Sequence, residues 1–368
     1  MTGVVADVGA IFYHRVHMLL SGEREGGAVA ARLRVFRRFC AAAVVLVASG
    51  YFTSATGADD IRFFRIGTGG VAGTYFPVGR LIAEGLTTPP APGTCTGHEP
   101  CGIPGVVAVA QTANGSVANV DDVASGDLDA GLAQADVIHA AYTATGPFAG
   151  RPPLRQLRAV ARLYAEAVHI VARRDADIRS VVGLKGRRVA LDEPGSGILV
   201  DARVVLDAYG LDEGDLKSEY IKPDIAGTEL IAGDLDAFFI VAGYPTPSVT
   251  ALADRDAIDL VPISTDRGRE ISSRHRFFAV GVIPEGVYHG IDETQTLMVS
   301  AQLVVNERAD ADLVYALTKA LWSQGTQRPL SEGHPRGKDI SLAAALDGVT
   351  IPLHLGAERF YRESGLMD

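Results

Sequence analysis

Cysteine is scarce in this chain: three residues among 368. Cys40 lies in a leader-like stretch without the small-residue pattern that lipoprotein processing requires. Cys95 and Cys101 remain, six residues apart in a Pro/Gly-rich segment of what reads as an exported protein, and they are read as a disulfide closing a small loop. His98 between them gives metal-like spacing, but no fourth ligand is near, and a thiolate site in an oxidising compartment is a poor trap for zinc. Neither metal nor cofactor is expected. Long apolar runs are also missing. Phe39 to Phe52 falls short of the about 20 residues that cross a membrane. It follows Arg32, Arg34, Arg37 and Arg38 and leads to the small residues Thr56-Gly57-Ala58, the layout of a secretory signal peptide cut near Ala58. Residues 1 to 31 precede that layout, as an upstream start or a dispensable tail would, and are given no function. Basic charge is short as well: removing residues 1–58 takes away six arginines and three acids, so the net charge goes from −10 to −13. An acidic surface argues against nucleic acid and anionic membranes as partners.

What is present in quantity is glycine, 41 residues, in an ordinary globular composition with room for roughly two domains. The stretch Gly67 to Thr74 joins a strand-like run, Phe63 to Ile66, to a helix-like run, Val78 to Leu86. Such a turn presents unpaired backbone N–H groups and the positive end of a helix dipole, so it can hold an anion without a basic side chain. A second feature is a repeat: Gly126-Asp127-Leu128-Asp129-Ala130 recurs as Gly233-Asp234-Leu235-Asp236-Ala237. Each copy follows a helix and leads into an apolar, strand-like run. Another glycine turn, Pro194 to Gly197, stands upstream of the second copy. One α/β module twice over predicts two similar lobes across a cleft.

Strands are expected at Val106–Ala110, Ala130–Ala133, Leu157–Leu163, Val168–Ala172, Arg188–Leu191, Ala237–Val241 and Asp259–Ile263, the fourth of these crossing between lobes. Leu297–Val305 reads as a return crossing, so both ends of the mature chain build the first lobe. Helices are expected near Val117–Ser125, Asp136–Tyr142, Gly197–Ala208, Glu229, Ala311–Trp322 and Ser341–Asp347.

The ordered set FRIGTGGVAGTYFPVG, QTANGSVANV, ASGDLDAGLAQADV, LRAVARLYAEAVHIVAR, LKGRRVALDEPGSG, GDLDAFFIVAGYP and ALDGVTIPLHLGAERFY resembles the TAXI-type solute receptors of TRAP transporters, from about Arg62 to Arg362. The resemblance implies an α/β, two-lobed periplasmic-binding-protein type II fold with a central cleft and hinge strands. It implies residues 1–58 as extension and signal peptide, 59–168 plus 290–368 as lobe I, and 169–289 as lobe II. It further implies a periplasmic monomer that closes on a solute and hands it to a TRAP membrane permease.

With the lobes so placed, the turns Gly69 to Tyr75, Thr112 to Asn119 and Gly195 to Gly197 converge, each at a helix N-terminus. The expected ligand contacts are Gly69, Gly70, Gly73, Thr74, Tyr75, Asn114, Ser116, Asn119, Ser196 and Gly197. Gln134, Gly243 and Tyr244 join them from the carboxyl ends of the repeat strands, where open α/β sheets bind ligands. Anion sites on both lobes suit a carboxylate at each end of a small molecule, a dicarboxylate or glutamate-like amino acid of four or five carbons. Asp127, Asp129, Asp234 and Asp236 are read as backbone caps, His169 as a buried structural histidine, and Glu166 as a secondary candidate for an amine or cation. Two rivals stand beside this reading: an exported hydrolase with Ser196 as nucleophile, and a receptor serving a sensor kinase. The hydrolase lacks the first glycine of the GxSxG pattern, where Pro194 stands, and a recognisable triad. A dinucleotide fingerprint at Gly67, Gly69 and Ala72 lacks its acidic residue about 20 positions on. No enzyme activity is expected.

Overall fold

The structure is a computed structural model and describes residues 61–87 and 102–368. The leader, the cleavage site and the Cys95/Cys101 pair lie outside the described residues.

The first half of the fold begins with β1 (Arg62–Gly67), α1 (Tyr75–Leu86), β2 (Val106–Gln111), α2 (Ser116–Ser125), β3 (Ala130–Gln134) and α3 (Ala135–Thr143). A 17-residue strand, β4 (Leu157–Arg173), then leads into β5 (Arg188–Ala190), α4 (Gly197–Ala208), β6 (Lys217–Glu219), α5 (Pro223–Ala232), β7 (Ala237–Ala242), α6 (Pro247–Ala253), β8 (Ile258–Leu260), α7 (Thr265–Arg274) and β9 (Ala279–Ile283). The 13-residue β10 (Thr294–Asn306) returns, and α8 (Ala311–Leu321), α9 (Gln324–Gly333) and α10 (Leu355–Glu363) finish the chain.

The main path of the sheet runs β2-β1-β3-β10-β4-β7-β5-β6, with β8 against β4 and β9 against β10. Parallel strands β2, β1 and β3 belong to one half and parallel β7, β5 and β6 to the other. Antiparallel β4 and β10 run through both: Gln302–Asn306 of β10 face Arg162–Leu157 of β4, while Ala167–Ala172 of β4 pair with Ala242–Ala237 of β7. The sequence suggested two strands at 157–163 and 168–172. They are one, because the intervening Tyr164, Glu166 and Ala167 are buried too and the ladder to β10 continues through them.

Strands covered on both faces read as continuous apolar runs, and β3 and β7 are buried at every position. Along β7, Phe239 and Val241 join one core cluster and Phe238 and Ile240 the opposite one. Two further clusters cover the two faces of the first half. The repeated acidic motif has one structural role in both halves. Gly126 and Gly233 end their helices at φ of 93° and 83°, in the left-handed region that glycine adopts without strain. The second aspartate then accepts the N–H of the neighbouring strand: Asp129 from Arg65 at 2.8 Å and Asp236 from Arg188 at 2.9 Å. Arg188 also reaches Asp236 with its guanidinium and holds that carboxyl down at about 2. Helices α7, α9 and α10 had no sequence expectation; α9 carries Pro329 within it, a residue that argues against a helix interior.

His169 sits inside β4 with Nδ1 2.9 Å from the Ala167 carbonyl and Nε2 3.0 Å from the Tyr288 hydroxyl, which itself accepts the Thr246 N–H. Burial lowers its pKa to about 4. The folded pKa lies below the unfolded one, so this group's stabilisation is complete above pH 6.5 and is lost as pH falls toward 4. The loss amounts to about 3 kcal/mol at roughly 1.4 kcal/mol per unit. Urea unfolding of the wild type and His169→Gln at pH 7 and pH 4 measures it: the wild type drops by 2–3 kcal/mol more than the variant, to order of magnitude. Parallel pH curves count against a buried neutral histidine.

Candidate functional site

Between the two halves lies a cavity of about 80 Å³ open to the centres of water-sized spheres. A water occupies roughly 10–15 Å³ on that measure, so the space takes about five to eight water-sized groups. Its walls come from the three turns that the sequence put together. Gly69, Gly70, Gly73, Thr74 and Tyr75 line it from the β1–α1 turn, Asn114 and Ser116 from the β2–α2 turn, Gln134 from the end of β3, and Ser196 and Gly197 from the head of α4.

Contacts between the halves close over this space. Ala118 N–H donates to the Gly195 carbonyl at 3.0 Å, Thr74 Oγ1 to the Gly243 carbonyl at 2.9 Å, and Thr246 Oγ1 to the Ala72 carbonyl at 3.0 Å. Gly115, at φ 102°, would place a Cβ 3.7 Å from the Ser196 backbone. A Cβ on Gly197 would stand 1.4 Å from Gln134 Oε1 and 2.8 Å from Ser116 Oγ.

The three helix starts differ in chemistry. No side chain caps α1 or α2; the Gly195 carbonyl takes the Ala118 N–H of α2, and the residues that open both helices line the cavity with the positive ends of their dipoles. Helix α4 is capped by its own Ser196, whose Oγ accepts Leu199 N–H at 3.1 Å. Thr74 spends its hydroxyl on Gly243, across the gap.

Three expected contacts lie elsewhere. Asn119 is buried behind the turns and donates Nδ2 to the Thr68 and Leu132 carbonyls, both at 2.8 Å, stitching the β1–α1 turn to β3. Gly243 gives its carbonyl to Thr74 and leaves room for Arg336, whose Cγ a Cβ there would approach to 2.4 Å. Tyr244 is half-buried under the Arg336 guanidinium, 4.5 Å from the ring centroid. None of the three lines the cavity.

The floor is acidic. Glu166 reaches it from β4 and accepts the Tyr75 hydroxyl at 2.8 Å. Tyr75 Oη lies 3.4 Å from Ser116 Oγ; Ser116 donates to Gln134 Oε1 at 3.1 Å, and Gln134 Nε2 donates to Asp201 Oδ2 of α4 at 2.6 Å. Burial pushes Glu166 up to about 8, against the pull of the Tyr75 hydrogen bond. It also pushes Asp192, another wall residue, up to about 6. Lys222 is the one cation among the lining residues; no arginine or histidine lines the cavity. Arg80, Arg162 and Arg203 are not among the lining residues either. Glu166 was a secondary candidate in the sequence, and Asp192, Lys222 and Asp201 were passed over. Asp201 carried a signal, an acid on the buried face of α4 beside Leu199, Ala202 and Val205. Among the described residues no group of three or more His, Cys, Asp or Glu is placed to hold a metal, and no helix is long and apolar enough to cross a membrane.

Two α/β halves joined by two long crossing strands, with a cavity at the carboxyl ends of the parallel strands, define a periplasmic-binding-protein type of fold. The chain belongs to the NMT1-like family, whose sequence pattern matches residues 66–365. Similar solved structures include the alkanesulfonate-binding protein SsuA of Xanthomonas axonopodis pv. citri bound to MOPS, at 17% identity over 82% of this chain and 83% of that one, TM-score 0.42. MatC of Rhodopseudomonas palustris with bound malate is 13% identical over 83% and 97%, TM-score 0.48. An ancestral arginine-binding protein bound to arginine is 14% identical over 82% and 98%, TM-score 0.42.

Proposed function

We propose that this chain is an exported, extracytoplasmic solute receptor of the TAXI type that captures a small carboxylate and delivers it to a TRAP membrane permease. In this reading 59–168 plus 290–368 form lobe I, 169–289 form lobe II, and β4 and β10 carry the hinge. What supports it is the cavity itself: two helix starts without side-chain caps line it from one half, the head of α4 lines it from the other, and the buried acids Glu166 and Asp192 stand in its wall. A ligand favours the closed form only as far as it binds that form better than the open one.

Within the small carboxylates, a glutamate-like amino acid fits better than a dicarboxylate. The helix starts supply donors for a carboxylate, while Glu166, the one glutamate on the wall, is a poor neighbour for a second anion and a good one for an ammonium group. An ammonium also removes the penalty that keeps Glu166 protonated near neutral pH. Calorimetry of the mature protein with L-glutamate, L-glutamine, L-aspartate, succinate and 2-oxoglutarate at pH 7 tests this. Glutamate is expected to bind at least about tenfold more tightly than 2-oxoglutarate, its counterpart without the amine, and Glu166→Gln to narrow that gap to about twofold, roughly 1 kcal/mol of change. Equal affinities in the wild type overturn the ammonium assignment, and silence from every anion overturns the ligand class. The hydrolase reading is not favoured: Ser196 Oγ is engaged as a helix cap, and the lining residues include no base of the histidine kind.

A further inference from the structure

The polar chain on the cavity floor ends in an arrangement that the ligand does not need. Asp136 opens α3 in the first half; Asp201 projects from α4 in the second. The two carboxyls are within hydrogen-bond reach of each other. Asp201 Oδ2 accepts from Gln134, yet Oδ1 of Asp201 and Oδ1 of Asp136 are both buried without a donor. Two neighbouring carboxyls, each with an oxygen buried without a donor, cannot both be ionised at tolerable cost. One proton between them satisfies both.

We infer that Asp136 and Asp201 form a proton-held latch between the halves, so that closing the cleft takes up one proton. The latch rests on the reading that the halves open and close, but not on the identity of the solute. When the halves part, each carboxyl meets water and ionises in the ordinary range. When they meet, burial and the partner's charge raise the pair, Asp201 most of all. The charges around the pair do not offset this. Glu166 of β4 faces it and adds repulsion; Tyr75 of α1 stands behind Glu166 as a neutral donor; Gln134 of β3 is neutral; no lysine, arginine or histidine enters the electrostatics of either carboxyl. Because the closed form binds the extra proton, closure is favoured at low pH and weakens as pH rises from the open-state value through the raised one. Within that window the closure constant falls by up to about tenfold per pH unit.

The test uses the mature, ligand-free protein with ¹³C-labelled aspartate carboxyls, followed by NMR from pH 4 to 9, with small-angle scattering at the same points. The expected result is an aspartate pair titrating well above the ordinary range and a radius of gyration that grows with the same midpoint. Asp201→Asn keeps a donor toward Asp136 without a proton. It should remove the second titrating carboxyl, leave Asp136 raised only by its own burial, and lower the slope of log closure against pH. Glu166→Gln serves as the control: it removes the neighbouring carboxyl, so the pair's titration moves down but persists. Ordinary titration of every aspartate, a compaction that ignores pH, or an unchanged slope in Asp201→Asn each overturn the latch. A titrating latch in a protein that binds none of the solutes named above sinks the ligand assignment alone.

Discussion

Gly197→Val is expected to abolish solute binding, raising Kd by at least about 100-fold, while shifting the melting temperature by no more than a degree or two; the affinity loss corresponds to roughly 2.7 kcal/mol. The backbone of Gly197 is not in the left-handed region, so a side chain there strains neither the turn nor the first residue of α4. What the side chain meets is the other half. A Cβ would stand 1.4 Å from Gln134 Oε1 and 2.6 Å from its Cδ. Gln134 has nowhere cheap to go, because its backbone N–H and its amide are tied to Ser116 and its Nε2 to the buried Asp201. Moving it strips a buried carboxyl of its donor, which costs more than an ordinary lost hydrogen bond. The open form escapes the clash by keeping the halves apart. Calorimetry with the solute that binds the wild type, beside a thermal melt, separates the two effects. Wild-type affinity in the valine variant rules out closure through this contact.

Asn119→Ala has the largest expected effect on stability, about 2–6 kcal/mol, from two buried carbonyls left without donors at about 1–3 kcal/mol each. Asn119 is fully buried, and its amide holds Thr68 of the β1–α1 turn against Leu132 of β3. Gly67 leaves room for the same packing: a Cβ there would lie 2.3 Å from Leu128 Cδ1 and 2.7 Å from Asn119 Oδ1. The loss corresponds to roughly 4–12 °C in melting temperature for a chain of this size, with weaker solute binding following from a loosened turn. A ligand contact behaves differently, losing affinity at unchanged stability, so the two measurements together decide which role Asn119 plays.

These two residues mark what the sequence made legible. Glycine turns at strand-to-helix junctions and the duplicated acidic motif placed the cavity walls, because both features act through the backbone and leave a local signature. The two crossing strands were visible as apolar runs, though Tyr164 and Glu166 interrupted the first and hid its continuity. Asn119 stood in the right turn but faces backward, and only the fold shows that its partners are carbonyls of β1–α1 and β3. Gly243 and Tyr244 follow the correct strand, yet Gly243 spends its carbonyl on Thr74, Tyr244 stacks under Arg336, and neither lines the cavity. The buried acids were hardest to read. A lone aspartate in α4 resembles any helical acid until the opposite half supplies Gln134 and Asp136, and such pairing between distant segments has no local pattern.

The absence of side-chain caps at α1 and α2 has a consequence for how this scaffold changes over time. Main-chain amides recognise negative charge and little else, so the grip on an anionic end survives almost any substitution around it. Selectivity must then reside in the few side chains opposite, Glu166 and Asp192 foremost. In the proposed reading, exchange of one or two of them redirects capture to another solute without rebuilding the anchor.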